Sequence, residues 1–108
     1  MWNGHAVISY STSHDQGRSW AYGGVALREP FHLSYPYMFH HEGVHYMIPE
    51  TNKDMSVRLY MATDYPADWA LAKVLLAGRH YVDSVVFHHL DLWWLFTCEE
   101  KYVGEILG

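Results

Sequence analysis

The sequence predicts an all-β chain, a piece of a β-propeller made of four-stranded antiparallel blades. Aromatic residues make up 17% of the 108 residues and hydrophobic ones 50%, a balance that suits sheet packing better than helices. A hairpin signature spans residues 31–51, where two aromatic-rich, β-prone runs flank Glu42-Gly43 and Pro36 and Pro49 stand near the outer ends. The same signature returns after about 48 residues. Setting 34–51 over 82–99 puts Phe39 on Phe87, His40 on His88, His41 on His89, Tyr46 on Trp94 and Met47 on Leu95. A period of roughly 40–50 residues filled with short strands marks a propeller blade, because four strands of about six residues with their turns fill such a unit.

Taken in order, residues 5–10 form a short strand that runs into Ser13-His14-Asp15-Gln16-Gly17-Arg18-Ser19-Trp20. That octet has the Ser-x-Asp-x-Gly-x-Ser-Trp pattern of an Asp box. Its expected physics is local: the Asp15 carboxylate accepts turn N–H groups, Gly17 takes a positive φ and Trp20 packs into the sheet. Asp15 is therefore read as structural, and residues 20–28 as the following, outer strand. In the hairpin itself, a turn centred on Glu42-Gly43 pairs residues whose numbers sum to 85, placing Tyr35 opposite Glu50. A polar loop over 51–56 precedes the alternating strand 57–62. Residues 63–68 stand where the Asp box stood and read as a decayed copy, because Trp20 matches Trp69 and Val25-Ala26-Leu27 matches Val74-Leu75-Leu76 at an offset of 49. Residues 69–76 are a strand by this repeat, although Ala70-Leu71-Ala72-Lys73 would also suit a helix. Asp83 to His88 and Leu92 to Cys98 repeat the hairpin around Leu90-Asp91, and Lys101 to Leu107 would be a further strand.

In blade terms, residues 1–30 finish one blade, 31–78 make a complete one and 79–108 begin the next. Small propellers close with about four or five blades, so this length predicts a fragment of a longer protein, or else self-association that covers open sheet edges. The formal charge of −5 lacks the basic surface that a nucleic-acid partner needs. No cationic head followed by an apolar run opens the chain, and no stretch approaches the ~18 apolar residues of a membrane span, so a soluble module is expected. The single Cys98 permits no internal disulfide and leaves the compartment open.

In a propeller, ligands meet the rim of the central funnel, where the first strand of each blade starts and the second ends. That geometry nominates Tyr35 with Glu50, and one blade on Asp83 with Cys98 and Glu99, while His32 and His80 each precede the start of an inner strand. Glu50 and Asp83 are the acidic pair brought together. Two converging carboxylates are what glycoside cleavage needs, one to protonate the leaving oxygen and one to attack or to activate water. They also cap strand ends or bind sugar hydroxyls without catalysis. His40, His41 and His45 cluster and His88-His89 repeats the doublet one unit on, yet a zinc site wants a third nearby ligand and none is indicated, so no metal is expected. Cys98 ends an apolar strand and reads as a buried structural thiol. At most one of Trp93 and Trp94 can face a ligand, since neighbours on a strand point opposite ways. No nucleophile elbow, phosphate loop or dinucleotide fingerprint is present, and no cofactor is expected.

The strings Glu29-Pro30-Phe31-His32-Leu33-Ser34-Tyr35-Pro36-Tyr37, Tyr46-Met47-Ile48-Pro49-Glu50-Thr51, Val57-Arg58-Leu59-Tyr60, Val82-Asp83-Ser84 and Trp93-Trp94-Leu95-Phe96-Thr97 resemble the propeller domain on the N-terminal side of glucosamine inositolphosphorylceramide transferases and their bacterial relatives. That domain is similar in turn to the five-bladed family 43 glycoside hydrolases, in which an Asp-Pro pair opens an inner strand. Here the pair is Tyr35-Pro36 in one blade and Asp83-Ser84 in the next, so the carboxylate pattern is partly kept. The resemblance implies an incomplete five-bladed-type propeller in a carbohydrate context, with a glycan or glycolipid-derived sugar as partner and missing blades or a further domain in the same polypeptide. In that context Glu50 and Asp83 are the candidate catalytic pair, with His32, Tyr35, Arg58, His80 and Glu99 as candidate substrate contacts. Three readings stay open: a glycan-binding module, a hydrolase with a further carboxylate from missing blades, and a purely structural piece.

Overall fold

A computed structural model describes residues 5–99. Its strands are β1 (Ile8–Thr12), β2 (Ala21–Leu27), β3 (Ser34–His41), β4 (Val44–Thr51), β5 (Ser56–Asp64), β6 (Asp68–Ala77), β7 (Tyr81–His89) and β8 (Leu92–Glu99), with one 3-10 turn at Asn52–Asp54 between β4 and β5. All pairings are antiparallel and give three sheets, ordered β1-β2, β3-β4-β5-β6 and β7-β8. The chain is thus all-β. Among the described residues the sheets do not close into a ring. The strand expected over Lys101 to Leu107 lies outside the described residues.

The two hairpins share one geometry. Glu42 (φ 49°) and Gly43 (φ 80°) turn the first, and Leu90 (φ 54°) and Asp91 (φ 62°) turn the second. Two consecutive positive φ values are what a two-residue hairpin loop requires to match strand twist. From these turns the expected pairing holds as far as Tyr37↔Ile48 in one hairpin, and the matching Val85↔Phe96 in the other. It then slips by one residue: Ser34, not Tyr35, faces Glu50, and Val82 faces Cys98. The expected Tyr35–Glu50 pair is therefore corrected. Tyr35 (φ 43°) and Asp83 (φ 57°) occupy left-handed bulge positions, and Pro36, which has no N–H to give the ladder, follows the first. In the second bulge Ser84 Oγ bonds Thr97 Oγ1 (2.8 Å), and Thr97 Oγ1–H donates to the Val82 carbonyl (3.1 Å).

The Asp-box turn closes through its own side chains. Asp15 accepts the Ser19 N–H (2.9 Å) and hydroxyl (2.5 Å) and the Ser13 hydroxyl (2.8 Å), and Gly17 has φ 87°. Trp20 departs from expectation. It is 65% exposed and lies against its own turn, with Nε1–H donating to the Gly17 carbonyl (3.1 Å). The turn at 64–68 keeps that last feature: Trp69 Nε1–H donates to the Pro66 carbonyl (2.8 Å). Trp69, unlike Trp20, also packs against the apolar core.

That core has two halves on either side of the four-stranded sheet. On one face Leu33, Met47 and Tyr60 pack with Ile8 and Leu27 of the β1-β2 sheet. On the other, Ile48 and Val57 pack with Val86 of β7. Met47 and Ile48 are neighbours on β4 and serve opposite faces, as strand alternation dictates. Tyr37 Oη–H adds a bond across to the Val86 carbonyl (3.0 Å).

Two measurements probe these turns. Leu90 is 78% exposed and spends its left-handed conformation without a packing return, so Leu90→Asn with Asp91→Gly is expected to stabilise the chain by about 1 kcal/mol. Urea unfolding would show a raised midpoint at unchanged slope. The three acceptor bonds at Asp15, the Ser19 hydroxyl first, hold its pKa down from 3.8 to about 2. The folded state therefore binds this proton less readily than the unfolded chain, so the carboxylate's contribution is complete above pH ~4 and is lost as pH falls toward ~2. Asp15→Asn is expected to flatten the stability profile in that window, as read by thermal melts from pH 5 to pH 2.

Candidate functional site

The one-residue slip that ends both hairpin ladders also makes a cleft. At the open ends of β3-β4 and β7, Tyr35, Glu50, Thr51, Tyr81, Asp83 and Ser84 line a narrow space of about 40 Å³. A wider hollow of about 230 Å³ is bordered by His32, Ser34, Tyr35, Glu50, Asn52 and Lys53. Tyr35 and Glu50 border both. The positive φ of Tyr35 turns its side chain out of the sheet, leaving it 79% exposed. Asp83 stands at the equivalent bulge of the neighbouring sheet and is also exposed. With the Asp83 carboxylate at the narrow space, the His32 imidazole and Lys53 ammonium at the wider one, and Tyr35 and Glu50 at both, these groups can donate to and accept from a polyol. The narrow part alone is too small to enclose a sugar ring, and the wider part is open.

Beneath Glu50 the 51–56 loop is tied into place. Thr51 and Ser56 are 1% and 3% exposed. Thr51 Oγ1–H donates to the Ser56 carbonyl (2.6 Å), and Ser56 Oγ–H bonds Asp54 (2.9 Å). Buried hydroxyls satisfied in this way hold the end of β4, and with it Glu50, to one geometry.

Of the sequence-predicted residues, the structure thus brings Tyr35, Glu50 and Asp83 together at the narrow space, and His32 joins Tyr35 and Glu50 at the wider one. His32 is also used structurally, since its Nδ1 accepts the Ala6 N–H (3.3 Å). The other three are engaged elsewhere. Arg58 pairs with Asp54 (3.0 Å) and Glu29 (3.6 Å) and lies over the Phe31 ring (5.0 Å). His80 Nδ1 lies 2.8 Å from Asn52 Oδ1 and 3.1 Å from the Asn52 carbonyl; both neighbours are oxygens, so this nitrogen carries the proton. Glu99 pairs with Arg79 (2.7 Å). Sequence reasoning missed Ser34, Lys53, Tyr81 and Ser84. Lys53 was within reach as the cation in the loop that follows Glu50, whereas Ser84 gains its place only from the bulge.

Cys98 is exposed, which corrects the buried thiol expected from the apolar strand. The outer side of β8 carries no partner strand among the described residues, so nothing there covers it. The histidines make ring contacts: His40 is tilted against His45 (4.6 Å between rings), and His41 stands edge-on to His88 (5.6 Å) and Trp93 (4.8 Å). Among the described residues no three His, Cys, Asp or Glu side chains are grouped to hold a metal ion. Trp93 and Trp94 face opposite ways, Trp93 toward Phe39 (5.8 Å) and Trp94 away, with Nε1–H on the His89 carbonyl (3.2 Å).

Comparison with known proteins agrees with the strings on which the family resemblance rests. The family model described as "Glucosamine inositolphosphorylceramide transferase 1, N-terminal" matches residues 3–106. Glucosamine inositolphosphorylceramide transferase 1 of Oryza sativa, in both the indica and japonica subspecies, is 45% identical over 92 residues, which is 85% of this chain and 12% of the relative. The Arabidopsis thaliana protein of the same name is 41% identical over 97 residues, 90% of this chain and 12% of the relative. The chain therefore spans about an eighth of the length of these relatives. No solved structure matches. An all-β chain matched over nearly its whole length by this model belongs to the family of glucosamine inositolphosphorylceramide transferase 1 N-terminal domains.

Proposed function

We propose that this chain is part of a β-propeller module that binds a sugar at the cleft shared by Tyr35, Glu50 and Asp83, within a longer glycan-processing polypeptide. One observation carries the reading: the left-handed bulge occurs twice, at Tyr35 and Asp83, and both residues end in one cleft with Glu50. A strained backbone repeated at equivalent places is kept where it aims side chains. The four-stranded antiparallel sheet with a similar hairpin beside it supports the propeller architecture. The relatives' name, a transferase of glucosamine and inositolphosphorylceramide, supports the carbohydrate context. Since those relatives are about eight times longer, a transfer site has room elsewhere in such a polypeptide. A hydrolytic reading rests on the same two carboxylates and requires another from sheets beyond this chain.

Titration with glucosamine and with myo-inositol 1-phosphate, followed by backbone amide shifts, tests the proposal. Shifts are expected at Ser34, Tyr35, Asn52, Lys53 and Asp83. Glu50→Gln and Asp83→Asn should each weaken binding by roughly tenfold, the loss of one hydrogen bond to a charged group. Silence with both probes, or unchanged affinity in both variants, would sink the sugar reading. Release of nitrophenol from aryl glycosides by the longer protein, lost in both variants, would favour hydrolysis instead.

A further inference from the structure

Two histidines stand at equivalent places, 48 positions apart, and their hydrogen bonds hold them in opposite tautomers. His32 precedes β3 and His80 precedes β7. His32 Nδ1 lies 3.3 Å from the Ala6 backbone nitrogen. A backbone N–H can only donate, so this Nδ1 carries a lone pair and the neutral ring keeps its proton on Nε2. His80 Nδ1 lies 3.1 Å from the Asn52 carbonyl. A carbonyl can only accept, so here the proton is on Nδ1. The same Nδ1–H meets Asn52 Oδ1 at 2.8 Å, which orients the Asn52 amide with its amino end away from the ring.

What His80 grips is the first residue of the 3-10 turn Asn52–Asp54. The Asn52 carbonyl also takes the Met55 N–H (2.9 Å). At the other end of the turn, Asp54 accepts from Arg58 (3.0 Å) and from the Ser56 hydroxyl (2.9 Å). Both ends are thus tied. Lys53 between them is exposed, borders the wider hollow and makes no ion pair among the described residues. His32, Ser34 and Asn52 border the same hollow. We infer that the two tautomers give the site a polarity: His32 contacts the ligand as a donor through Nε2–H, and His80 is a positioning residue that holds Asn52 and Lys53 as donors beside it. This rests on the sugar reading. The wider hollow takes an acceptor oxygen of the ligand, while the narrow space, lined by Glu50 and Asp83 and by no cationic side chain among the described residues, takes its donors. Glu50 borders both spaces and marks the divide. Donors on one side and carboxylates on the other fix which way round a polyol lies.

Long-range proton–nitrogen spectra of the imidazoles, taken at about pH 8 where an ordinary imidazole is neutral, read the tautomers in the free chain. An Nε2–H ring at His32 and an Nδ1–H ring at His80 are expected, and one tautomer at both would overturn the proposal. His80→Asn keeps a donor close to the place of Nδ1 and should hold the affinity for myo-inositol 1-phosphate within about twofold. His80→Phe has no donor. It should speed amide exchange at Met55 by about tenfold and weaken that affinity by roughly tenfold. His32→Asn keeps an acceptor for the Ala6 N–H but loses the Nε2 donor, so the affinity should fall by roughly fivefold at an unchanged melting midpoint. Equal losses in His80→Asn and His80→Phe, or full affinity in His32→Asn, would overturn the polarity and leave the sugar reading standing. Silence of the unaltered chain toward both glucosamine and myo-inositol 1-phosphate would sink the sugar reading and the His32 contact together.

Discussion

Both faces of the β3-β6 sheet are apolar, and this governs everything else in the molecule. Met47 and Ile48, adjacent on β4, are each 2% exposed, yet they contact different sheets. A four-stranded sheet with one wet face can stand against a single neighbour; one with two dry faces must sit between two. The same pattern recurs at β7-β8, where Val86 faces inward at 9% exposure while Phe87 and Phe96 on the opposite face are 46% and 56% exposed. Stacking of successive sheets is thus written into each hairpin, and polar chemistry is confined to the strand ends.

At those ends one network joins the interior to the rim. Tyr60, buried at the first interface, donates its hydroxyl to Glu29 (2.6 Å), and Arg58 pairs with Glu29 and with Asp54. Burial, then the Glu29 carboxylate that takes its hydrogen bond, pushes the Tyr60 phenol well above its ordinary pKa. Asp54 receives the Ser56 hydroxyl, and Ser56 and Thr51 together close the loop under Glu50. Arg58 reads from sequence as a substrate contact because it sits in a family-like string. Its guanidinium instead makes charge-assisted bonds to two carboxylates and lies over an aromatic ring, a use suited to its planar donor fork. Side chains this committed hold geometry for their neighbours.

The departures from sequence reasoning share one cause. For Trp20, Cys98 and the Tyr35–Glu50 pairing the local pattern points one way, and the outcome depends on what lies across a strand or sheet. Trp20 and Trp69 keep the same hydrogen bond to the carbonyl three residues back, but only Trp69 also reaches an apolar cluster. Hydropathy alone cannot separate them. Cys98 is exposed because no strand among the described residues covers the outer edge of β8, a fact of pairing rather than of composition.

The sequence by itself determined the strand order, the two hairpin turns, the repeat of about 48 residues and the family. These are legible because side-chain alternation, turn chemistry and internal similarity act between residues close in the chain or at a constant spacing. Tertiary structure alone decided the bulges at Tyr35 and Asp83, the gathering of Tyr35, Glu50 and Asp83 in one cleft, and the diversion of Arg58, His80 and Glu99 into ion pairs and loop contacts. A one-residue slip in register costs the ladder little and turns each side chain after it to the other face. Where such a slip falls is set by packing between sheets, which no short window of sequence contains.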